Sequence, residues 1–210
     1  MEKVIRIGTR ESSLATWQAT QVQQLLINQG EDAELVFIKS EGDIDLKTPL
    51  YEMGVQGIFT KSLDIALIEN RIDIAVHSMK DVPTQLAMGI TQAAVLPRGA
   101  VHDLLVFKTD GEFLNTDDYE ANIATSSIRR KAQWLNRYPR HQLHNLRGNV
   151  NTRLRKLSTE NWDAAIFAQA GLERINLRPE NSLVIDWMLP APAQGAIMVV
   201  CRKEDEKVYE

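Results

Sequence analysis

The residues of this chain best suited to chemistry stand together in His77-Ser78-Met79-Lys80-Asp81. A carboxylate beside an ammonium can handle protons or stabilise a developing cation. The motif follows Ile72-Asp73-Ile74-Ala75-Val76, an apolar, β-branched run with the composition of a buried strand. It precedes Pro83, which bars simple continuation as helix or inner strand. Ligands of open α/β sheets bind off the carboxyl ends of the strands. The strand is therefore expected to end near Val76 and to leave Ser78, Lys80 and Asp81 at that edge. The plainer alternative is a strand followed by a solvated turn with one ion pair.

A second group of chemical residues is cationic. Between Arg129 and Lys156 the chain carries nine Lys or Arg residues and no Asp or Glu, although the formal net charge is −4. A one-sign stretch in an acidic protein points to an anionic partner. Arg10, Arg129, Arg130 and Arg147 fall at expected strand-to-helix junctions, and Arg153 falls one turn into a helix. Helix N-termini already favour anions, and guanidinium forks there suit carboxylates or phosphates. Thr125, Ser126, Ser127 and Asn149 add short-range donors. Three such junctions would converge on one crevice if the strands are parallel within each sheet. Lys131, Arg137, Arg140, Arg155 and Lys156 read as a solvated helix face. A nucleic-acid patch with Trp134 and Tyr138 as stacking residues is the competing reading. Their i, i+4 spacing argues for a core contact instead.

The elements that must position these groups alternate strand and helix. Strands are expected over 4–8, 33–39, 72–76, 90–96, 104–107, 122–125, 143–146, 164–168 and 196–201, and helices over 13–29, 60–70, 128–136, 150–157 and 171–174. Residues 40–57, with Pro49, Gly54 and Gly57, make a long irregular connection expected to act as a flap or to be disordered. Pro97-Arg98-Gly99 and Pro190-Ala191-Pro192-Ala193-Gln194-Gly195 punctuate the chain. Two punctuations suggest two α/β domains, one of 1–96 plus 195–210 and one of 97–194, joined by two crossings.

Composition narrows the function classes. The 210 residues are 44% hydrophobic and 25% charged, as in an ordinary globular protein. A single cysteine, Cys201, excludes an intrachain disulfide and suits a reducing compartment. No run approaches the ~18 apolar residues of a membrane span, and the N-terminus has no apolar signal core, so a cytoplasmic protein without membrane partners is expected. The four histidines and Cys201 form none of the usual metal-ligand spacings, so no metal site is expected.

Six motifs, in order, resemble hydroxymethylbilane synthase, also called porphobilinogen deaminase. They are Ile7-Gly8-Thr9-Arg10-Glu11-Ser12-Ser13-Leu14-Ala15, Gly57-Ile58-Phe59-Thr60-Lys61, Ala75-Val76-His77-Ser78-Met79-Lys80-Asp81-Val82-Pro83, Thr125-Ser126-Ser127-Ile128-Arg129-Arg130, Leu146-Arg147-Gly148-Asn149-Val150 with Thr152-Arg153-Leu154, and Ala193-Gln194-Gly195-Ala196. The resemblance implies an α/β fold of two domains with type II periplasmic-binding-protein-like architecture. It implies a monomer that acts on porphobilinogen, a pyrrole bearing an acetate and a propionate; that no nucleic acid is bound is expected separately, from the core spacing of Trp134 and Tyr138. Asp81 matches the catalytic aspartate. Lys80, Ser78, Arg129, Arg130, Thr125, Ser126, Ser127 and Asp43 match positions that hold a dipyrromethane cofactor. Arg10, Ser12, Arg147, Arg153, Phe59 and Gln194 match positions that bind substrate.

The chain also departs from that family. The cofactor hangs on a cysteine of a third domain, which is expected to begin where this sequence stops, so the chain is expected to be a truncated form, inactive alone. Cys201 matches a different family cysteine, expected in the core. Gln56 and Glu41 stand where the family often has basic residues, which puts the flap contacts in doubt. A non-catalytic two-domain module for a small carboxylate ligand is the alternative function.

Overall fold

The structure, a computed structural model, describes residues 4–40, 59–116 and 118–205. The expected flap, with Asp43, Glu41 and Gln56, lies outside them. The fold divides into two compact units. Unit 1 takes the described residues up to Gly99 and again from Gly195, and unit 2 takes Ala100–Gln194.

Unit 1 is a five-stranded sheet in the order β2-β1-β3-β10-β4, from β1 (Ile5–Thr9), β2 (Ala33–Phe37), β3 (Ile74–Ser78), β4 (Ile90–Val95) and β10 (Ile197–Arg202). Helices α1 (Ser13–Asn28) and α2 (Lys61–Ile68) cover its two faces. The α1 face buries Ile7, Ala19, Val22, Ile74, Val76 and Val199, and the α2 face buries Leu63, Leu67, Ile72, Ala75 and Val200. Residues 74, 76 and 75 thus part to opposite faces, as the two-residue period of a strand requires. Gly8 sits where this layer is tightest. A Cβ there would stand 2.2 Å from Ile72 Cδ1 and 3.1 Å from Leu63 Cδ2, so glycine is what lets the α2 face close on β1.

Unit 2 is a second five-stranded sheet, β7-β6-β8-β5-β9. Its strands are β5 (Asp103–Phe107), β6 (Asn122–Ala124), β7 (Gln142–His144), β8 (Ala164–Ala168) and β9 (Ser182–Ile185), with helices α3 (Ile128–Arg137), α4 (Val150–Thr159) and α5 (Gln169–Glu173). One core gathers Leu105, Ile123, Trp134, Ile166 and Met188, and the other Leu104, Leu146, Leu157, Phe167 and Leu172.

Neither sheet is parallel throughout. In unit 1, β1, β2 and β3 run parallel while β10 is antiparallel to β3 and β4. In unit 2, β6, β7 and β8 run parallel while β5 is antiparallel to β8 and β9. The strands that carry the candidate residues are nonetheless the parallel ones, so within each unit their carboxyl ends share an edge. Strand β3 ends at Ser78 rather than near Val76, because β10 pairs with it through Ile197 and Ser78. His77 is therefore a sheet residue. Strand β9 was not expected from the sequence. No helix among the described residues is long and apolar enough to cross a membrane.

Candidate functional site

In unit 1, β1 and β3 are parallel neighbours, with Gly8 opposite Ala75. Arg10 leaves β1, and Met79-Lys80-Asp81 leaves β3, at the same edge. Ser12 caps α1, its hydroxyl accepting the Ala15 N–H at 3.3 Å. Ser78 and the buried Gln18 of α1 are joined side chain to side chain at 2.9 Å, which ties the helix to the end of β3. The Arg10 guanidinium lies over the Phe59 ring, 4.4 Å from its centroid. Met79–Asp81 forms one 3-10 turn closed by the Val82 N–H on the Met79 carbonyl at 3.2 Å. Lys80 and Asp81 are both exposed. The turn is thus closed by a backbone hydrogen bond.

Behind that edge lies His77. It is buried in a small cavity with Thr60, Asp64, Val82 and Leu86, and its Nε2 has no hydrogen-bond partner among the described residues. Burial first, and the Arg10 charge second, lower its pKa to about 4 from 6.5. Burial raises the pKa of Asp64 in the same cavity, against a hydrogen bond from Thr60. A histidine with a lowered folded pKa takes up its proton more readily unfolded. Its neutral form therefore supports the fold fully above pH 6.5, and that support is lost as pH falls toward about 4. The 2.5-unit interval amounts to roughly 3 kcal/mol. His77→Gln is expected to flatten this acid limb, which urea titrations at pH 7 and pH 5 would measure.

In unit 2 the corners after β6 and β7 are built by short polar residues. Thr125 accepts the Ser127 N–H at 3.3 Å, and Ser127 caps α3 by accepting the Arg130 N–H at 3.4 Å. Ser126 accepts the Leu146 N–H at 2.8 Å, binding the two corners together. Asn149 caps α4 through the Thr152 N–H at 2.9 Å. The three hydroxyls thus spend acceptor capacity on the backbone and keep a donor each. Gly148, at φ +110°, makes the turn before α4. Arg147 is buried there, and Arg153 reaches back to donate to the Gly148 carbonyl at 2.7 Å.

Arg129 and Arg130 do not stand as bare cations at the helix start. Both bind Asp103, the first residue of β5. Arg129 Nη2 lies 2.7 Å from Asp103 Oδ2, and Arg130 Nη2 lies 2.6 Å from Oδ1. Gln194 donates to Oδ1 at 2.9 Å and to the Val101 carbonyl at 2.7 Å. Burial works to raise the Asp103 pKa, but Arg130 and then Arg129 outweigh it and hold the carboxyl below its ordinary range. Arg130 also donates to the Ile166 carbonyl at 3.0 Å, and Arg129 donates to that of Leu189. The buried Arg130 Nε–H has no acceptor among the described residues. The role of Asp103 is hard to read from the sequence because its basic partners follow it by 26 and 27 residues. The available signal was a carboxylate opening an otherwise apolar strand. Trp134 is core, packed on Tyr138 with ring centroids 4.9 Å apart, so it offers no face for base stacking. Arg137, Arg140 and Arg155 are exposed on the solvated side.

Comparison with known proteins then identifies the surroundings. A family model described as "Porphobilinogen deaminase, dipyromethane cofactor binding domain" matches residues 5–210. A "Probable porphobilinogen deaminase" of Methanocaldococcus jannaschii is 45% identical over 207 residues, covering 98% of this chain and 70% of that protein. A porphobilinogen deaminase of Acidithiobacillus ferrooxidans is 43% identical over 216 residues, covering all of this chain and 70% of the other. Among solved structures, the probable amino-acid ABC transporter extracellular-binding protein ytmK of Bacillus subtilis aligns with a TM-score of 0.57 at 11% identity, over 100% of this chain and 88% of that one. The periplasmic VFT2 domain of Bordetella pertussis BvgS aligns at 0.55 and 13%, over 98% and 83%. The fold is of the type II periplasmic-binding-protein kind.

Proposed function

The chain belongs to the porphobilinogen deaminase family, and on that premise we propose that it joins porphobilinogen units head to tail into the linear tetrapyrrole hydroxymethylbilane, with Asp81 as the catalytic carboxylate. Each cycle breaks the bond from an aminomethyl carbon to its nitrogen, and ammonia leaves. The carbon is left in an azafulvene-like cation. The free ring position of the next pyrrole attacks it, a carbon–carbon bond forms, and that ring loses a proton. Positive charge therefore sits on pyrrole nitrogens before and after each new bond. A carboxylate within reach of those N–H groups lowers the energy of each cationic species and can carry the departing proton. The observation that carries this reading is the exposed Lys80–Asp81 turn at the carboxyl edge of β3, with Arg10 at the neighbouring edge of β1.

Acidic pyrroles also need cations, and we assign Arg10, Ser12, Phe59, Arg147 and Arg153 to substrate carboxylates and rings. Gln194 is assigned to substrate with them, and its amide also donates to Asp103, the carboxylate that holds Arg129 and Arg130. The donor set suits a dipyrromethane, which bears several carboxylates. The Arg130 Nε–H is a buried donor without an acceptor among the described residues, and such a donor costs free energy until one arrives. Lys80, Ser78, Arg129, Arg130, Thr125, Ser126 and Ser127 would hold the group, which supplies the primer end for chain growth. Asp43 is proposed with them. Cys201 is unsuited to carry it, being wholly buried in β10 between β3 and β4. The test is ammonia release by the intact protein given porphobilinogen. One ammonia per porphobilinogen consumed is expected, and consumption without ammonia would overturn the reading.

A further inference from the structure

We infer that Asp103 is the positioning residue of the unit 2 anion site, fixing the Arg129 and Arg130 guanidiniums in one arrangement that receives the carboxylates of a pyrrole ligand. The inference rests on the reading of this edge as an acidic-pyrrole site.

Consecutive residues of a helix point about 100° apart, so two arginines at the start of α3 would not meet by helix geometry alone. Like charge drives them further apart. Asp103 overcomes both effects by giving one oxygen to each fork, at 2.7 and 2.6 Å. It reaches this edge because β5 runs antiparallel to β8, with Asp103 opposite Ala168. The first residue of β5 thus lies where the neighbouring strands end. Its side chain is 0% exposed, against 23% for Arg129 and 7% for Arg130. The carboxylate is the sealed floor of the cluster, and Arg129 is its more open side.

The clamp leaves binding capacity over. Two guanidiniums and one carboxylate retain one net positive charge. Carbonyls of Leu189 and Ile166 fix a second nitrogen on each fork, while the Arg130 Nε–H stays without an acceptor among the described residues. Gln194 braces the same Asp103 oxygen as Arg130. A long, rotamer-rich cation loses entropy when a ligand orders it. Here that ordering is already done, so ligand carboxylates meet preset forks.

The experiment uses the intact protein and measures dipyrromethane bound per chain, by acid-and-aldehyde staining, beside the thermal midpoint. Asp103→Asn keeps the shape and removes the charge. Asp103→Glu keeps the charge and displaces it by one methylene. Leu105→Ala, a cavity on the same strand with no polar contact, is the control for lost stability. Both Asp103 variants are expected to carry less than half the wild-type cofactor while Leu105→Ala carries all of it. Full loading of either Asp103 variant, or equal loss in Leu105→Ala, overturns the inference. If Asp103→Asn does not fold, Asp103→Glu alone decides. Wild-type protein with neither bound dipyrromethane nor ammonia release overturns the functional reading instead.

Discussion

Asp81→Asn is expected to lower kcat for ammonia release by about 10²–10³-fold, the scale of losing one group aimed at transition-state charge. The thermal midpoint should stay close to that of the wild type. Asp81 is exposed, and the turn that carries it is closed by the Val82 N–H on the Met79 carbonyl rather than by the carboxylate. Surface changes of this kind usually alter stability by less than about 0.5 kcal/mol. Asparagine keeps the shape and a hydrogen-bonding oxygen but cannot balance a pyrrolic cation or accept a proton at neutral pH. The loss should therefore fall on turnover, with KM less affected. Asp81→Glu separates charge from placement. It retains the charge one methylene further out, and displacement by about 1 Å can itself cost up to ~10²-fold. Single-turnover ammonia release by the three proteins is the measurement. Near-wild-type turnover by Asp81→Asn would remove the carboxylate from the mechanism.

How far the sequence carries this picture depends on whether the cause of a feature is local. The starts of α3 and α4 are legible because a helix start is set locally, although Ser127 and Asn149, read as donors, prove to act as caps that accept. The core seat of Trp134 follows from its spacing to Tyr138. The extent of β3 does not, since His77 and Ser78 belong to the strand only because the distant β10 returns to pair with them through Met198 and Ile197. Strand β9, four residues on a sheet edge, owes its existence to β5 beside it. Asp103 is the sharpest case. Counting charge along the chain left a stretch of nine bases without an acid, yet an antiparallel neighbour brings the acid in. Sequence spacing marked the ends of β1 and β3 as a place for chemistry, while antiparallel partners decided which charges are balanced.

The largest stability effect is expected in unit 2. Trp134→Ala should lower its unfolding free energy by about 3–5 kcal/mol, the usual cost of emptying a buried large aromatic site. Trp134 is 1% exposed and lies among Tyr138, His141 and Trp187, with ring centroids 4.9, 6.0 and 5.8 Å away. Its Nε1–H donates to His141 Nδ1 at 3.2 Å. That acceptor must be unprotonated, and burial, opposed by the Asp163 charge, lowers the His141 pKa accordingly. Trp134→Phe keeps most of the volume, loses the hydrogen bond and should cost only about 1–2 kcal/mol. Because each unit has its own cores, the damage should be confined. In Trp134→Ala, amide hydrogen exchange should quicken across α3, β5, β6 and β8 and stay unchanged in β1, β3 and β10. Equal quickening in both sheets would mean that the two units unfold as one, and the confinement argued from their separate cores would be wrong.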